Sequence, residues 1–150
     1  MNSRKFFIGG PITNMFKDDV FDQRFKKLLL SLFDIIKTKG NIVFSAHLTE
    51  HFEKKVKETD KEIVKRDLNW IDQADICFFL FPTDVEGNAI RTDGTFIELG
   101  YACARKKVIY VFWNDKVSSG YSPMFRGMTE KSLNFYNISK VKEVIESIVS

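Results

Sequence analysis

Short apolar segments alternate with longer segments whose apolar residues recur at helical spacing, and this alternation runs the length of the chain. The apolar segments predict five strands. The run at 75–81 is apolar almost throughout, as is typical of a strand that is buried on both faces of a sheet. The predicted strands are 5–9, 41–44, 75–81, 107–113 and 134–136.

Four helices are predicted between and after these strands. Asp18 and Asp19 are expected to open the first helix, and Thr59 with Glu62 forms the capping box of the second. Strands that alternate with helices favour an α/β fold with a parallel sheet, in which ligands bind beyond the carboxyl ends of the strands. The predicted helices are 18–39, 59–73, 95–105 and 139–148.

The composition fits a globular domain with one hydrophobic core. The chain has 150 residues, of which 44% are hydrophobic and 29% charged, and its net charge is +3. So small an excess of positive charge does not favour a nucleic acid partner, and no apolar run approaches the ~20 residues that would cross a membrane. Cys77 and Cys103 lie in apolar surroundings, and no signal-peptide pattern opens the chain. We therefore expect one domain over residues 1–150, no membrane association and a cytoplasmic location.

Two carboxylates occupy positions that suggest chemistry. Asp67 lies in the middle of the apolar stripe of the second predicted helix, where an unpaired carboxylate is costly. It therefore either pairs with a cation such as Arg66 or belongs to a site. Glu98 is predicted in the first turn of the third helix, where the helix dipole favours an ionised carboxylate. It also fits the last position of a capping box that begins at Thr95, so the local sequence supports both interpretations.

Three segments together resemble the nucleoside 2-deoxyribosyltransferase superfamily. They read FIGGPI at 7–12, RDLNWIDQAD at 66–75 and GTFIELGYA at 94–102. The Glu-Leu-Gly-Tyr-Ala sequence after a Gly-rich turn is the most specific part, and the resemblance covers most of the chain. It implies an α/β fold of the Rossmann-like (flavodoxin-like) type, with about five parallel strands flanked by helices. It also implies an enzyme that acts on a small molecule without a metal or organic cofactor.

The resemblance assigns roles to both carboxylates. In this superfamily a glutamate at the position of Glu98 attacks the anomeric carbon of a nucleoside, displaces the base and forms a glycosyl-enzyme intermediate. The aspartate that matches Asp67 helps to hold the sugar and base for departure. The resemblance therefore implies that Glu98 and Asp67 are catalytic.

The position six residues before Glu98 separates two branches of the superfamily. Transferases of free nucleosides usually have an aspartate there, whereas nucleotide N-hydrolases have a hydroxyl residue that contacts the 5′-phosphate. Thr92 matches the second branch, and the Gly94 N–H at a helix start is suited to an anion. Asp93 departs from this pattern, because a carboxylate repels phosphate.

A loop near the carboxyl terminus adds to the resemblance. The segment around Ser122 and Met124 is similar to a loop of the nucleotide hydrolases that reaches into the neighbouring subunit and adds a serine to its phosphate site. This similarity implies a homodimer in which Ser122 and Met124 contribute to a shared substrate site.

Phe7 stands where deoxynucleotide hydrolases and many transferases have a tyrosine. The missing hydroxyl leaves room for a ribose 2′-OH, a pattern similar to the CMP and 5-hydroxymethyl-CMP N-glycosidases of the mildiomycin and bacimethrin pathways. The same segment offers Gly10 and Ile12 as further substrate contacts. The resemblance thus implies hydrolysis of a pyrimidine ribonucleoside 5′-monophosphate to free base and ribose 5-phosphate.

Other functions stay open on the sequence. A 2′-deoxynucleoside 5′-monophosphate N-hydrolase or a nucleoside 2-deoxyribosyltransferase would also use Glu98, whereas a non-catalytic nucleotide-binding module would not need it. The segment from His47 to His51 matches the H-x-x-E-H zinc pattern, which requires both histidines on one helix face. It also resembles a stretch near the base pocket of the nucleotide hydrolases, which makes Glu50 or His51 a possible substrate contact.

Overall fold

Five parallel strands form the central sheet of the computed structural model, which describes residues 2–128 and 133–150. Every neighbouring pair in this sheet is parallel, as the alternation of strands and helices predicts. Each strand lies within two residues of its predicted bounds. In chain order the sheet strands are β1 (Lys5–Gly9), β4 (Ile42–Phe44), β5 (Ile76–Leu80), β6 (Val108–Trp113) and β7 (Asn134–Asn137), and their spatial order is β4-β1-β5-β6-β7. The remaining two strands, β2 (Phe16–Lys17) and β3 (Val20–Phe21), form a separate hairpin.

Helices cover both faces of the sheet. The first and last helices pack on one face, and the two longer helices directly before and after β5 in the chain pack on the other. None of the helices within the described residues has the length and apolar character needed to cross a bilayer. The helices are α1 (Gln23–Thr38), α2 (Ala46–Thr49), α3 (Asp60–Gln73), α4 (Asp93–Ala104), α5 (Pro123–Gly127) and α6 (Val141–Val149).

Side chains of β5 show why its sequence is apolar without alternation. Phe78 and Leu80 pack in the cluster under α1 and α6, whereas Cys77 and Phe79 pack in the cluster under α3 and α4. All four side chains are fully buried. Burial of a large apolar side chain contributes about 1.5–3 kcal/mol, so the two faces of this strand stabilise both layers of helices.

The prediction for the start of the first helix is wrong. Asp18 and Asp19 have positive φ angles of 51° and 63° and form the two-residue turn between β2 and β3. Two left-handed residues match the twist of a tight hairpin, and aspartate tolerates that conformation better than most residues. The helix begins after Asp22, whose carboxylate accepts a hydrogen bond from the Phe25 N–H at 2.9 Å.

The start of α4 also differs from its prediction, whereas the capping box of α3 is confirmed. Thr92 is the residue before the first turn of α4, and the helix begins at Asp93, two residues before the predicted start. Glu98 therefore lies in the second turn. The predicted capping box from Thr95 to Glu98 does not form, because Thr95 is already inside the helix.

The strand order creates a crevice between β1 and β5. The chain leaves β1 towards α1 on one face of the sheet and leaves β5 towards α4 on the opposite face. Adjacent parallel strands whose connections diverge in this way leave an opening beyond their carboxyl ends, where ligands of such folds bind. The segments after these two strands are thus the first place to look for a functional site.

Candidate active site

A cavity of about 610 Å³ lies beyond the carboxyl ends of β1 and β5, between α3 and α4. This volume suits a small organic ligand. Six of the residues that the sequence singles out line it, namely Gly10, Ile12, Asp67, Thr92, Gly94 and Glu98. The described lining also includes Asn14 from the segment after β1, Glu50, Glu53, Lys54 and Val56 from the segment after β4, Ile63, Val64 and Leu68 from α3, and Arg91, Asp93, Thr95 and Ile97 around the start of α4.

Phe7 lies beside this cavity rather than in it. Its ring borders a small recess of about 20 Å³, together with Gly10, Asp67 and Glu98. Phe7 is 1% exposed and packs in the apolar cluster under α3 and α4. Phe7, which belongs to strand β1, therefore borders the same recess as the carboxyl groups of Asp67 and Glu98.

Ser122 and Met124 do not line the cavity of their own protomer. Ser122 precedes α5 and accepts a hydrogen bond from the Phe125 N–H at 3.4 Å, so it has the role of a helix cap. Met124 is 83% exposed. Any contact of these two residues with a substrate would therefore be made in the cavity of another copy.

One guanidinium group holds three carboxylates beside the cavity. Arg66 donates from Nε to Asp67 Oδ1 at 2.8 Å, from Nη2 to Glu50 Oε2 at 2.7 Å, and from Nη1 to Glu58. Its side chain is 12% exposed and lies over the Trp70 ring, 4.8 Å from the centroid. The ion pair considered for Asp67 on the sequence is therefore present, and it orients a carboxylate that also lines the cavity. We call Arg66 with these three carboxylates the carboxylate cluster.

Asp67 and Glu98 lie close together at the cavity and are joined by a hydrogen bond between their carboxyl groups. Burial raises the pKa of Glu98 well above its ordinary value, and the charge of Asp67 raises that pKa further. Burial raises the pKa of Asp67 too, but its hydrogen bond with Arg66 opposes this shift. Within the pair these shifts favour the neutral form of Glu98 over that of Asp67. Glu98 lies in the second turn of α4 and not in the first, so the helix dipole that was expected to favour its ionised form acts on it only weakly, while burial and Asp67 favour the neutral form.

The segment before α4 presents hydroxyl and N–H groups to the cavity. Thr92 and Thr95 are 7% and 2% exposed, and their hydroxyl oxygens hydrogen-bond each other. In such a pair one hydroxyl donates and the other keeps its proton for a further acceptor. Gly94 lies between them, and apart from its two chain neighbours and the backbone of its own helix no described atom lies within 4 Å of the place where a Cβ would stand. Since N–H groups in a first helical turn have no partner within the helix, this end of the cavity can accept an anion.

Asp93, which departs from the superfamily pattern, is paired. Arg91 donates from Nε to Asp93 Oδ1 at 3.1 Å and from Nη2 to Oδ2 at 3.0 Å. These hydrogen bonds hold the pKa of Asp93 below its usual range. The backbone carbonyl of Arg91 accepts from Asn14 Nδ2 at 2.7 Å, which ties this segment to the one after β1.

The two histidines of the H-x-x-E-H pattern do not share a helix face. The short helix α2 ends at Thr49, and His51 follows it with a positive φ of 53°. His47 is 2% exposed, and burial lowers its pKa to about 4, so near pH 7 the neutral ring donates from Nε2 to the Pro11 carbonyl at 3.0 Å. Within the described part of the chain, no three or more His, Cys, Asp and Glu side chains gather where they could hold a metal ion. His47 instead fixes the loop after β1 that lines the cavity.

Three residues of the site were not predicted from the sequence. Asn14 reaches its partner Arg91 across the fold, Glu58 lies just before the second predicted helix, eight residues from its partner Arg66, and Arg91 is an ordinary arginine in a polar loop. The position of Arg91 directly before Thr92 is the one hint that the sequence offers, because it places a cation next to the expected phosphate contact.

Comparisons with known proteins agree with this fold. A family model described as nucleoside 2-deoxyribosyltransferase matches residues 17–135. The solution structure of BlsM has a TM-score of 0.73 and 22% identity, and the match covers 98% of this chain and 90% of that one. The CMP N-glycosidase BcmB of Clostridium botulinum has a TM-score of 0.63 and 20% identity, with 97% and 98% covered. A 2-deoxyribosyltransferase of Leishmania mexicana has a TM-score of 0.52 and 18% identity, with 73% and 63% covered. No curated protein sequence gives a significant match.

Replacing Arg66 by glutamine should destabilise the protein by about 3–5 kcal/mol at pH 7, because three partly buried carboxylates lose their shared cation. Without Arg66 the folded-state pKa values of Glu50 and Asp67 rise further above the unfolded values near 4. Carboxyl groups with raised pKa values destabilise the fold as the pH rises past the unfolded values. The loss should therefore be larger at pH 7 than at pH 4.5, as measured by urea unfolding.

Lys140→Ala is the control for this measurement. Lys140 pairs with Glu143 at 3.7 Å on the surface, so its loss should change the free energy of unfolding by less than about 1 kcal/mol. An Arg66→Gln variant as stable as this control at pH 7 would contradict the role given to the carboxylate cluster.

Proposed function

The chain belongs to the nucleoside 2-deoxyribosyltransferase family, as the resemblance in its sequence predicts, and on that premise we propose that it hydrolyses the N-glycosidic bond of a pyrimidine ribonucleoside 5′-monophosphate. CMP and 5-hydroxymethyl-CMP are the proposed substrates, and the products are the free base and ribose 5-phosphate. The observation that carries the proposal is that Glu98 and Asp67 line the cavity together, and we propose that they share one proton there, in keeping with their raised pKa values. Such a pair supplies both a nucleophile and an acid.

In the first step the shared proton moves from Glu98 to Asp67. The Glu98 carboxylate then attacks C1′, a C1′–O bond forms, and the C1′–N1 bond breaks. The electron pair of that bond goes to the base, which takes the proton that Asp67 has received. The carboxylate cluster stabilises the positive charge that develops on the sugar in an oxocarbenium-like transition state.

In the second step water hydrolyses the ribosyl-enzyme. The water oxygen attacks C1′, the C1′–O bond to Glu98 breaks, and its electron pair returns to the Glu98 carboxylate. Asp67, now ionised, takes the proton from the water. Redistribution of that proton to Glu98 restores the resting pair, so the cycle needs only substrate and water.

Phosphate recognition is proposed for the segment before α4. The free proton of the Thr92 and Thr95 hydroxyl pair and the first-turn N–H groups around Gly94 suit an anion at this place. Gly10 and Ile12, from the segment after β1, are proposed to contact the sugar or the base.

Phe7 is proposed to permit a ribose substrate. Its ring borders the recess next to Glu98 and Asp67, where a tyrosine hydroxyl would take up space beside the sugar. A ribose 2′-OH needs that space, whereas a 2′-deoxyribose does not.

A second candidate is transfer of the sugar to another base, the reaction named by the family model that matches this chain. Transfer would use the same Glu98 attack, with a second base in place of water. A 2′-deoxynucleoside 5′-monophosphate hydrolase is the other alternative. Thr92, in place of the aspartate usual in the transferases, supports a nucleotide hydrolase.

We also propose that the protein works as a homodimer in which Ser122 and Met124 complete the partner's site. Neither residue lines the cavity of its own protomer, and Met124 is 83% exposed. Val64 and Ile97 line the cavity and are 55% and 66% exposed, which leaves an apolar edge available to a second copy.

Substrate choice is the first test. Purified protein incubated with CMP, dCMP and cytidine should release cytosine from CMP fastest, more slowly from dCMP, and not from cytidine, as followed by chromatography.

Glu98→Gln should lower release from CMP on the order of 10³-fold or more while CMP still binds, because only the nucleophile is lost. Phe7→Tyr should shift the preference towards dCMP.

Glu146→Gln, on the exposed face of α6, is the control and should hydrolyse CMP normally. Faster release from dCMP than from CMP would overturn the role of Phe7. Release that requires an added second base would favour transfer, and full activity of Glu98→Gln would remove the proposed nucleophile.

The pH profile tests the shared proton. Because the active pair holds one proton, kcat/KM should fall on the alkaline side as Glu98 loses that proton, at a pH above the ordinary glutamate value of about 4.3. In Asp67→Asn the charge that raises the pKa of Glu98 is gone and no acid remains. Its residual activity, about 10²–10⁴-fold lower, should instead rise with pH to a plateau.

Asp72→Asn serves as the control, because Asp72 binds Tyr101 and Arg105 away from the cavity. That variant should retain the fall in kcat/KM on the alkaline side. An alkaline limb that persists unchanged in Asp67→Asn would show that another group titrates there.

Mixing two inactive variants tests the shared site. A heterodimer of Glu98→Gln and Ser122→Ala chains has one site with both defects and one site with neither, if Ser122 acts in the partner's cavity. The mixture, after subunit exchange, should therefore show kcat/KM for CMP well above that of either variant alone. Activity equal to the average of the two separate variants would contradict the proposal, as would a monomer in sedimentation experiments.

A further inference from the structure

Charged groups are distributed unevenly along the cavity. The carboxylate cluster and Glu53 lie on the side of α3, where Glu50 and Asp67 face the cavity. Among the described residues that line the cavity, the cations are Lys54 and Arg91. Lys54 lies beside these acidic residues in the chain and pairs with Asp19 at 2.8 Å. The segment at 91–95 is thus the end of the cavity where a cation, a hydroxyl pair and helix N–H groups come together.

Asp93 creates a problem at this end, because it lines the same part of the cavity and repels an anion. Arg91 neutralises it with two parallel hydrogen bonds of 3.0 and 3.1 Å. Both side chains are well exposed, at 80% and 69%, so water competes for them and the pair exchanges readily.

We propose that Arg91 is a specificity-determining residue that leaves Asp93 when substrate enters and binds the 5′-phosphate directly. This inference rests on the proposed function, since the phosphate is that of the proposed nucleotide. A guanidinium fork binds phosphate oxygens in the same parallel geometry that it uses for a carboxylate. A phosphate carries up to two negative charges, so it competes well with the single charge of Asp93.

The backbone of Arg91 is held in place while its side chain is free to turn. Asn14 Nδ2 donates to the Arg91 carbonyl at 2.7 Å, and Thr92, the next residue, is buried. The exchange from carboxylate to phosphate therefore needs only a side-chain rotation. Arg91 then completes an anion site of which Thr92, Gly94 and Thr95 form the base.

Titration calorimetry with ribose 5-phosphate and with ribose measures phosphate recognition without turnover. Ribose 5-phosphate should bind the wild-type protein more tightly than ribose does, and Arg91→Ala should weaken its binding about tenfold or more, as expected for a hydrogen-bonded charge pair. Binding of ribose should not change. Arg24→Ala is the matched control, since Arg24 is an exposed arginine near Asp22 at the start of α1, outside the cavity.

A double variant separates direct contact from simple neutralisation of Asp93. If Arg91 binds the phosphate, Arg91→Ala combined with Asp93→Asn should still bind ribose 5-phosphate weakly. Recovery of wild-type affinity in the double variant would overturn the inference, because Arg91 would then only cancel the charge of Asp93. Equal binding of ribose and ribose 5-phosphate to the wild-type protein would overturn it as well.

These outcomes are independent of catalysis. A protein that releases no base from CMP but needs Arg91 for ribose 5-phosphate binding would contradict the proposed function and support this inference. A protein that hydrolyses CMP while Arg91→Ala binds ribose 5-phosphate normally would do the reverse.

Discussion

The site depends on one guanidinium that is shared by three carboxylates. Arg66 is stacked on Trp70 and bonded to Glu50, Glu58 and Asp67, so each of its three side-chain nitrogens donates to a carboxylate. Burying such a group brings little net stability, since desolvation offsets most of the attraction. Its effect is geometric and electrostatic. It holds the Asp67 carboxylate beside the cavity and favours its ionised form, and that charge in turn raises the pKa of the neighbouring Glu98.

The sheet topology decides which segments meet around this cluster. The divergence of the connections after β1 and β5 opens the crevice, and α3 and α4 form its walls. The loop after β1 is held by contacts from elsewhere in the chain. His47 donates to the Pro11 carbonyl from inside an aromatic enclosure that includes Phe21 and Phe25. Its lowered pKa follows from that burial, so the histidine acts here as a neutral donor that sets the position of the loop.

The sequence predicts most helices because their apolar residues recur at helical spacing. It predicts the sheet because strands that are covered on both faces are apolar almost throughout. The first helix starts later than predicted because Phe21 fits its apolar stripe equally well from a hairpin strand, and periodicity does not distinguish these arrangements. For the site, the order of strands brings Gly10 and Glu98, which follow the carboxyl ends of β1 and β5, to one cavity with Asp67 from the middle of α3. The raised pKa of Glu98 could not be predicted, because it follows from burial and from the charges of Asp67 and Glu50, which depend on tertiary packing. The same holds for the pairing of Asp93, which on the sequence argues against a phosphate.

For the proposed nucleotide substrate, the separation of charge along the cavity favours one orientation. Cleavage of an N-glycosidic bond places positive charge on the sugar, and the carboxylate cluster stabilises that charge only if the substrate's own anion stays away from it. A phosphate next to Glu50 and Asp67 would be repelled by both groups, whereas the segment at 91–95 offers it a helix start and a cation. Binding at that segment leaves the sugar between the phosphate and Glu98. The same asymmetry bears on Asp93, whose negative charge at the proposed phosphate end is neutralised by its pairing with Arg91.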